Sequence, residues 1–227
     1  MAMPPTALCA GPGQLTERAR VEVMKIARAI GAVNPRISEG QKVEFGFGIF
    51  RASERYGIAP AVLIAIAQQE SGFRPNLPEG RAGEIGLCQI LKSWLRNPKF
   101  VSEFGVWTEA QLKNPAKSFM AAAWLLNDLK LSIASKTLPY WSYYNAMRFE
   151  NRFKYFLLVN RNIATLRKHA ITRQAQGEDT TGIWVPPQGT ARFESRRPGE
   201  LPVRAVQPIE SGTLADNGPA SAGTLAD

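Results

Sequence analysis

Glu70 is the residue whose type and surroundings most suggest chemistry. From Ala61 to Ala67 every residue is apolar, so a helix here is surrounded by protein on all sides. Gln68, Gln69, Glu70 and Ser71 then arrive together, and Gly72 and Pro75 stop the helix. At its start, Gly57 suits the end of a preceding helix and Pro60 the first turn of this one. A carboxylate ending an apolar helix is partly desolvated, which favours the protonated form and suits a general acid. The competing reading is a glutamate that hydrogen-bonds the loop after it.

Two further segments bear on that choice. Glu84-Ile85-Gly86-Leu87-Cys88-Gln89-Ile90 follows a polar loop, and Pro139-Tyr140-Trp141-Ser142-Tyr143-Tyr144-Asn145-Ala146-Met147 lies farther on. A helix-ending Glu-Ser, then Gly-Leu-x-Gln, then Tyr-Asn-Ala, in that order, resembles the soluble lytic transglycosylase family, whose fold is that of goose-type lysozyme. Leu112-Lys113-Asn114-Pro115 and the helix after it look like that family's Leu-x-Asp-Pro turn and following helix. The resemblance covers roughly Val43 to Ala146.

The resemblance implies that Glu70 is the lone catalytic residue, acting as acid and then as base on the β-1,4 bond between N-acetylmuramic acid and N-acetylglucosamine. It implies that Ser71 holds the carboxylate or the helix end, and that Gln89 contacts substrate in the groove. Tyr144 would place its hydroxyl near Glu70, and Asn145 would bind sugar or fix the loop. Cys88, Tyr143 and Met147 depart from the family's usual Met, Ala and Gly, which touches the shape of the groove and not the acid. Phe73 and Trp141 are candidate stacking surfaces for sugar rings, with core packing as the alternative.

Ordinary glycosidases use two carboxylates. No Asp precedes Asp128, and the only carboxylates shortly after Glu70 are Glu79 and Glu84. A one-carboxylate mechanism is therefore the simpler reading. Two alternatives stay open: a goose-type hydrolase with water positioned by Glu79 or Glu84, and a structural virion protein that keeps the lysozyme-like fold without its activity. His169 is the only histidine and has no cysteine at ligand spacing, so no metal site and no cofactor are expected. Phosphate-binding glycine loops and nucleophile elbows are absent.

The 227 residues are 44% hydrophobic, enough for a full domain plus extensions, and carry a net charge of +9. That charge predicts attraction to polyanions: peptidoglycan with its peptide carboxylates is one, nucleic acid (possible but not favoured) and an anionic lipid surface are others, and charge alone does not choose among them. No stretch of eighteen apolar residues suggests a spanning helix. The segment Met1 to Cys9 lacks the basic start and apolar run of a Sec signal peptide. An enzyme for the cell wall without an export signal is expected to be carried in a phage virion and to act in the host periplasm, with a specialised secretion system as the alternative. Cys9 and Cys88 are expected to be free thiols.

The expected class is mainly α: a lysozyme-like domain with an N-terminal helical extension and an extended Pro-rich C-terminal tail. Residues 1–36 hold one amphipathic helix, Gln14 to Ile30, capped by Thr16, with Leu15, Ala19, Val23, Ile26, Ala27 and Ile30 on one stripe. Residues 37–174 form the domain, with helices near Ser38–Tyr56, Ile90–Leu95, Thr108–Leu112, Ala116–Ser132 and Trp141–Ala146. A basic helix from Met147 to Gln174 ends it, its stripe read as Phe149, Phe153, Phe156, Leu157, Ile163 and Leu166. Gly46 and Gly48 weaken the second helix by about 1 kcal/mol each but allow close packing. Residues 175–227 are rich in Pro and Gly and poor in core formers. This tail and the N-terminal helix are the expected contacts to other virion proteins.

Overall fold

Helix starts in this chain follow side-chain capping chemistry. In the computed structural model, which describes residues 15–132, 138–144 and 149–184, Thr16 accepts from the Ala19 amide at 3.3 Å and opens α1, Glu17–Val33. Ser38 and Gln41 form a reciprocal capping box at the start of α2, Glu39–Tyr56, which ends at Gly57 in the left-handed region. Pro60 begins α3, Pro60–Glu70. Thr108 and Gln111 repeat the capping box for α5, Glu109–Lys113, and α6 follows over Pro115–Ser132. The long basic helix is α7, Phe149–Ala175.

The core is built around α3. Leu63, Ile64, Ala65, Ile66 and Ala67 are fully buried, and the helix touches α1, α2, α6, α7 and the short α8, Thr181–Trp184. Burying each of the larger side chains contributes roughly 1.5–3 kcal/mol. Helix α2 lies between α1 and α6 and uses its glycines to approach both. A Cβ at Gly46 would stand 2.9 Å from the Val23 carbonyl oxygen, and one at Gly48 would stand 3.1 Å from the Ala116 Cα. The amphipathic helix α1 is part of this core, with Val23, Ile26, Ala27, Ala29 and Ile30 all buried.

Several elements differ from the sequence expectation. The segment expected as a helix from Ile90 is a two-residue strand β2, Ile90–Leu91, paired antiparallel with β1, Glu84–Ile85, followed by a 3-10 turn at Lys92–Arg96. Two-residue strands are too short to leave an alternating pattern. Helix α4, Pro98–Phe104, was not expected, although Asn97 caps it by accepting from the Lys99 and Phe100 amides and Pro98 opens it. The Trp141 segment is a 3-10 turn, Tyr140–Tyr143.

The beginning of the expected tail is also structured. Helix α8 buries Ile183 in the core, and ion pairs dock the approach to it: Lys25–Asp179 at 2.6 Å, Arg28–Glu178 at 3.2 Å and Arg173–Glu178 at 2.9 Å. Tail residues from 185 onward lie outside the described residues, as do Cys9 and Asn145.

The glycine contacts define a stability test by urea unfolding. Gly46→Ala is expected to destabilise by about 1–3 kcal/mol, because overpacking against a backbone carbonyl outweighs the propensity gain. Gly40→Ala in the same helix meets open space and should be neutral or stabilising by up to about 1 kcal/mol. Equal effects at the two positions would remove the close approach as the reason for Gly46.

Candidate active site

Glu70 emerges where α3 can no longer continue. The Ser71 amide and hydroxyl both donate to the Ala67 carbonyl at 3.1 Å, and the Gly72 amide donates to the Gln68 carbonyl at 3.1 Å. Gly72 and Phe73 then take left-handed conformations, with φ of 58° and 61°. Strain of that kind at a phenylalanine costs on the order of 1 kcal/mol or more, and the buried ring, stacked on Phe45 with centroids 5.7 Å apart, offsets it. The Asn34 side-chain amide also secures the turn by donating to the Gly72 carbonyl at 3.0 Å. Ser71 therefore closes the helix, and Phe73 is a core residue and not a surface for a sugar ring.

The half-buried Glu70 carboxylate accepts a hydrogen bond from the Tyr155 hydroxyl at 2.6 Å. Tyr155 projects from the face of α7 that packs on α3, together with Val159, Ile163, Leu166 and Ala170, all buried. One helical turn past Val159, the Asn162 side chain donates to the Ala65 carbonyl at 3.1 Å, tying the two helices together. Burial first, and the charge of Glu70 second, push the Tyr155 hydroxyl well above the usual tyrosine range. It remains a proton donor to Glu70 throughout the range in which proteins work.

The Gly-Leu-Cys-Gln segment is the turn between β1 and β2. Gly86 has φ of 76° and its α-carbon runs so close to α5 that a Cβ would lie 2.7 Å from the Leu112 carbonyl oxygen. Ser118 on α6 accepts from the Cys88 amide at 3.1 Å. Tyr144 donates to the Cys88 carbonyl at 2.9 Å. Burial pushes the Tyr144 hydroxyl well above its usual range, with smaller contributions from Cys88, Glu70 and Tyr155. Tyr144 is thus in the electrostatic neighbourhood of Glu70, but its hydrogen bond anchors the turn. Gln89, at φ of 47°, folds its side-chain amide back onto the Gly86 carbonyl at 2.9 Å. Cys88 is a free, buried thiol that burial holds protonated.

The loop carboxylates have other engagements. Glu79 pairs with Lys92 at 2.6 Å, and Glu84 accepts from the Ala82 amide at 3.0 Å. Both serve the loop that leads into β1. Trp141 is buried and stacked on Phe156, with centroids 5.4 Å apart, so it too belongs to the core. Glu70, Tyr144 and the Gly86–Gln89 turn are brought together, whereas the placement of Asn145 falls outside the described residues.

Tyr155 is the site residue that the sequence reading missed. The aromatic-rich stripe through Phe153 and Leu157 drew attention to the wrong side of α7: these two are 46% and 51% exposed. The packing stripe is the one through positions 155, 159, 163, 166 and 170, which a hydroxyl-bearing first member made look less apolar. Phe156, Ile163 and Leu166 do pack as expected, and the Phe149 side chain lies outside the described residues.

The chain is similar to known proteins over part of its length. A curated relative, membrane-bound lytic murein transglycosylase C of Edwardsiella ictaluri (strain 93-146), is 36% identical over 70 residues, which is 30% of this chain and 19% of that protein. The chain thus matches about a fifth of that relative's length. No solved structure matches. Residues 47–155 match the transglycosylase SLT domain family, a span that runs past Ala146 and ends on Tyr155. The fold is mainly α, with a lysozyme-like SLT domain over that segment.

Proposed function

We propose that this protein is a peptidoglycan lytic transglycosylase with Glu70 as its acid and base. The observation that carries the reading is the Tyr155–Glu70 hydrogen bond at the end of an apolar helix, inside a segment that matches the SLT family. The engagement of Glu79 and Glu84 within their own loop supports a one-carboxylate mechanism over a hydrolase that needs one of them to position water. The presence of Glu70, Gln89, Tyr144 and Asn145 at the positions of the family's motifs disfavours a purely structural role.

In this mechanism the Glu70 carboxylic acid gives its proton to the oxygen linking N-acetylmuramic acid to N-acetylglucosamine. The C1–O bond breaks and the N-acetylglucosamine side leaves as an alcohol. The Glu70 carboxylate then takes the proton from the muramic C6 hydroxyl as that oxygen bonds to C1. The product is a 1,6-anhydro ring, Glu70 is again protonated, and no water is consumed. Tyr155 fixes the orientation of the carboxylate through one oxygen, so that the same group meets both proton positions. The anchored Gly86–Gln89 turn and Tyr144 form the adjoining wall, where Gln89, Ser71 and Asn145 are the proposed substrate-side and supporting residues.

The finer proposal is that the protein travels in a phage particle and opens the host wall during infection. Its support is compositional: residues 185–227 combine many prolines with little apolar sequence, which suits an extended segment laid along another protein. A deletion that tests this has to begin after Trp184, because Ile183 is part of the core. Removal of residues 185–227 is expected to leave wall cleavage intact and to reduce recovery of the protein in purified particles. Undiminished incorporation would count against the tail as the attachment segment.

Glu70→Gln keeps the shape of the side chain but cannot shuttle a proton. Cleavage of purified sacculi should fall by at least about a hundredfold, and mass spectrometry of wild-type products should show muropeptides one water lighter than hydrolysed equivalents. Products with reducing ends alone would place the reaction with the hydrolases. Tyr155→Phe removes only the donor, and kcat should fall by about tenfold to a hundredfold, the scale of a hydrogen bond to a charged group, with KM little changed. Wild-type kcat in that variant would leave Tyr155 with a packing role alone.

A further inference from the structure

We infer that the outer face of α7 is a docking surface for an anionic lipid bilayer. The helix contains six Lys or Arg residues (Arg152, Lys154, Arg161, Arg167, Lys168 and Arg173) against one carboxylate, Glu150. Its inner face is consumed by packing on α3 and α1. On the opposite side Phe153, Leu157 and Ile171 are 46%, 51% and 68% exposed. Phe153, Leu157 and Ile171 fall within a narrow angular sector, and seven-residue spacing brings Lys154, Arg161 and Lys168, all exposed, alongside it. From Phe153 to Ile171 this mixed stripe runs about 27 Å.

The composition of the stripe selects its occupant. A second copy of this chain would set two basic faces against each other. A soluble polyanion would neutralise the cations and leave three large apolar side chains in water. An anionic bilayer meets both needs, because headgroup charge attracts the Lys and Arg side chains while Phe153, Leu157 and Ile171 enter the boundary with the acyl chains. The helix would lie along the surface: no helix among the described residues is long and apolar enough to cross a membrane. Since α7 also presents Tyr155 to Glu70 from its other side, a bilayer bound here would hold the catalytic groove at a fixed orientation to the membrane.

The test is flotation of the full-length protein with vesicles of phosphatidylcholine plus phosphatidylglycerol, against phosphatidylcholine alone and against soluble polyglutamate. Partitioning should be at least about tenfold stronger on the anionic vesicles and should weaken as salt rises. Two variants separate the two contributions. Leu157→Gln with Ile171→Gln removes apolar surface, and Lys154→Gln with Arg161→Gln and Lys168→Gln removes charge. All five residues are exposed, and each variant should lower vesicle partitioning by about tenfold or more with an unchanged thermal transition. Equal binding to neutral vesicles, or none to anionic ones, overturns the proposal. So does polyglutamate binding as strong as vesicle binding with the apolar variant unaffected, which would assign the face to soluble polyanions.

Discussion

The burial of α3 is the constraint on which the rest of the molecule depends. A helix apolar on every side has no stable position except inside other elements, and α1, α2, α6, α7 and α8 supply that enclosure. The same burial determines where a polar group can appear. Glu70 stands at the one end of the helix where the chain turns out, and the turn is closed by backbone bonds and the Ser71 hydroxyl. A carboxylate in such a place needs a donor, because a buried charge without hydrogen bonds is costly. Tyr155 meets that need from α7. The helix that helps bury α3 is therefore also the one that orients its carboxylate.

The groove wall beside Glu70 depends on close backbone approach. At Gly86 the backbone comes against the Leu112 carbonyl, which only a residue without Cβ allows. Ser118 from α6 and Tyr144 from the 3-10 turn then grip the amide and the carbonyl of the same residue, Cys88. Three separate stretches of chain thereby fix one short turn. These bonds go to backbone groups and do not depend on the Cys88 side chain. The thiol only has to fill the space beneath it.

Helix α7 divides three tasks among its faces. One face seals α3, its first turns bring Tyr155 to the carboxylate, and its outer face shows a basic and apolar surface to solvent. At its C-terminal end, Arg173 joins α1 residues Lys25 and Arg28 in holding Glu178 and Asp179. These pairs are partly exposed and individually contribute little. Their effect is positional, since they lead the chain to the point where Ile183 enters the core.

How much of this was legible in sequence depended on how local the cause is. Helix α3, its end at Glu70, the cap at Thr16, the helix starts near Ser38 and Thr108, and the mainly α class follow from neighbouring residues, so the chain alone determined them. The Gly-Leu-Cys-Gln and Tyr-Tyr-Asn segments stood out only through their resemblance to the soluble lytic transglycosylase family, and Asn145 lies outside the described residues. The β1–β2 hairpin was not, because two-residue strands carry no periodicity, and α4 was overlooked despite its Asn-Pro start. The face of α7 that turns inward was decided by tertiary packing: large apolar residues lie on both sides of that helix, and the surface offered by α3 and α1 chooses between them. For that reason sequence could name the carboxylate but not its donor. Tyr155 reaches Glu70 from 85 residues away, a proximity that no local pattern encodes.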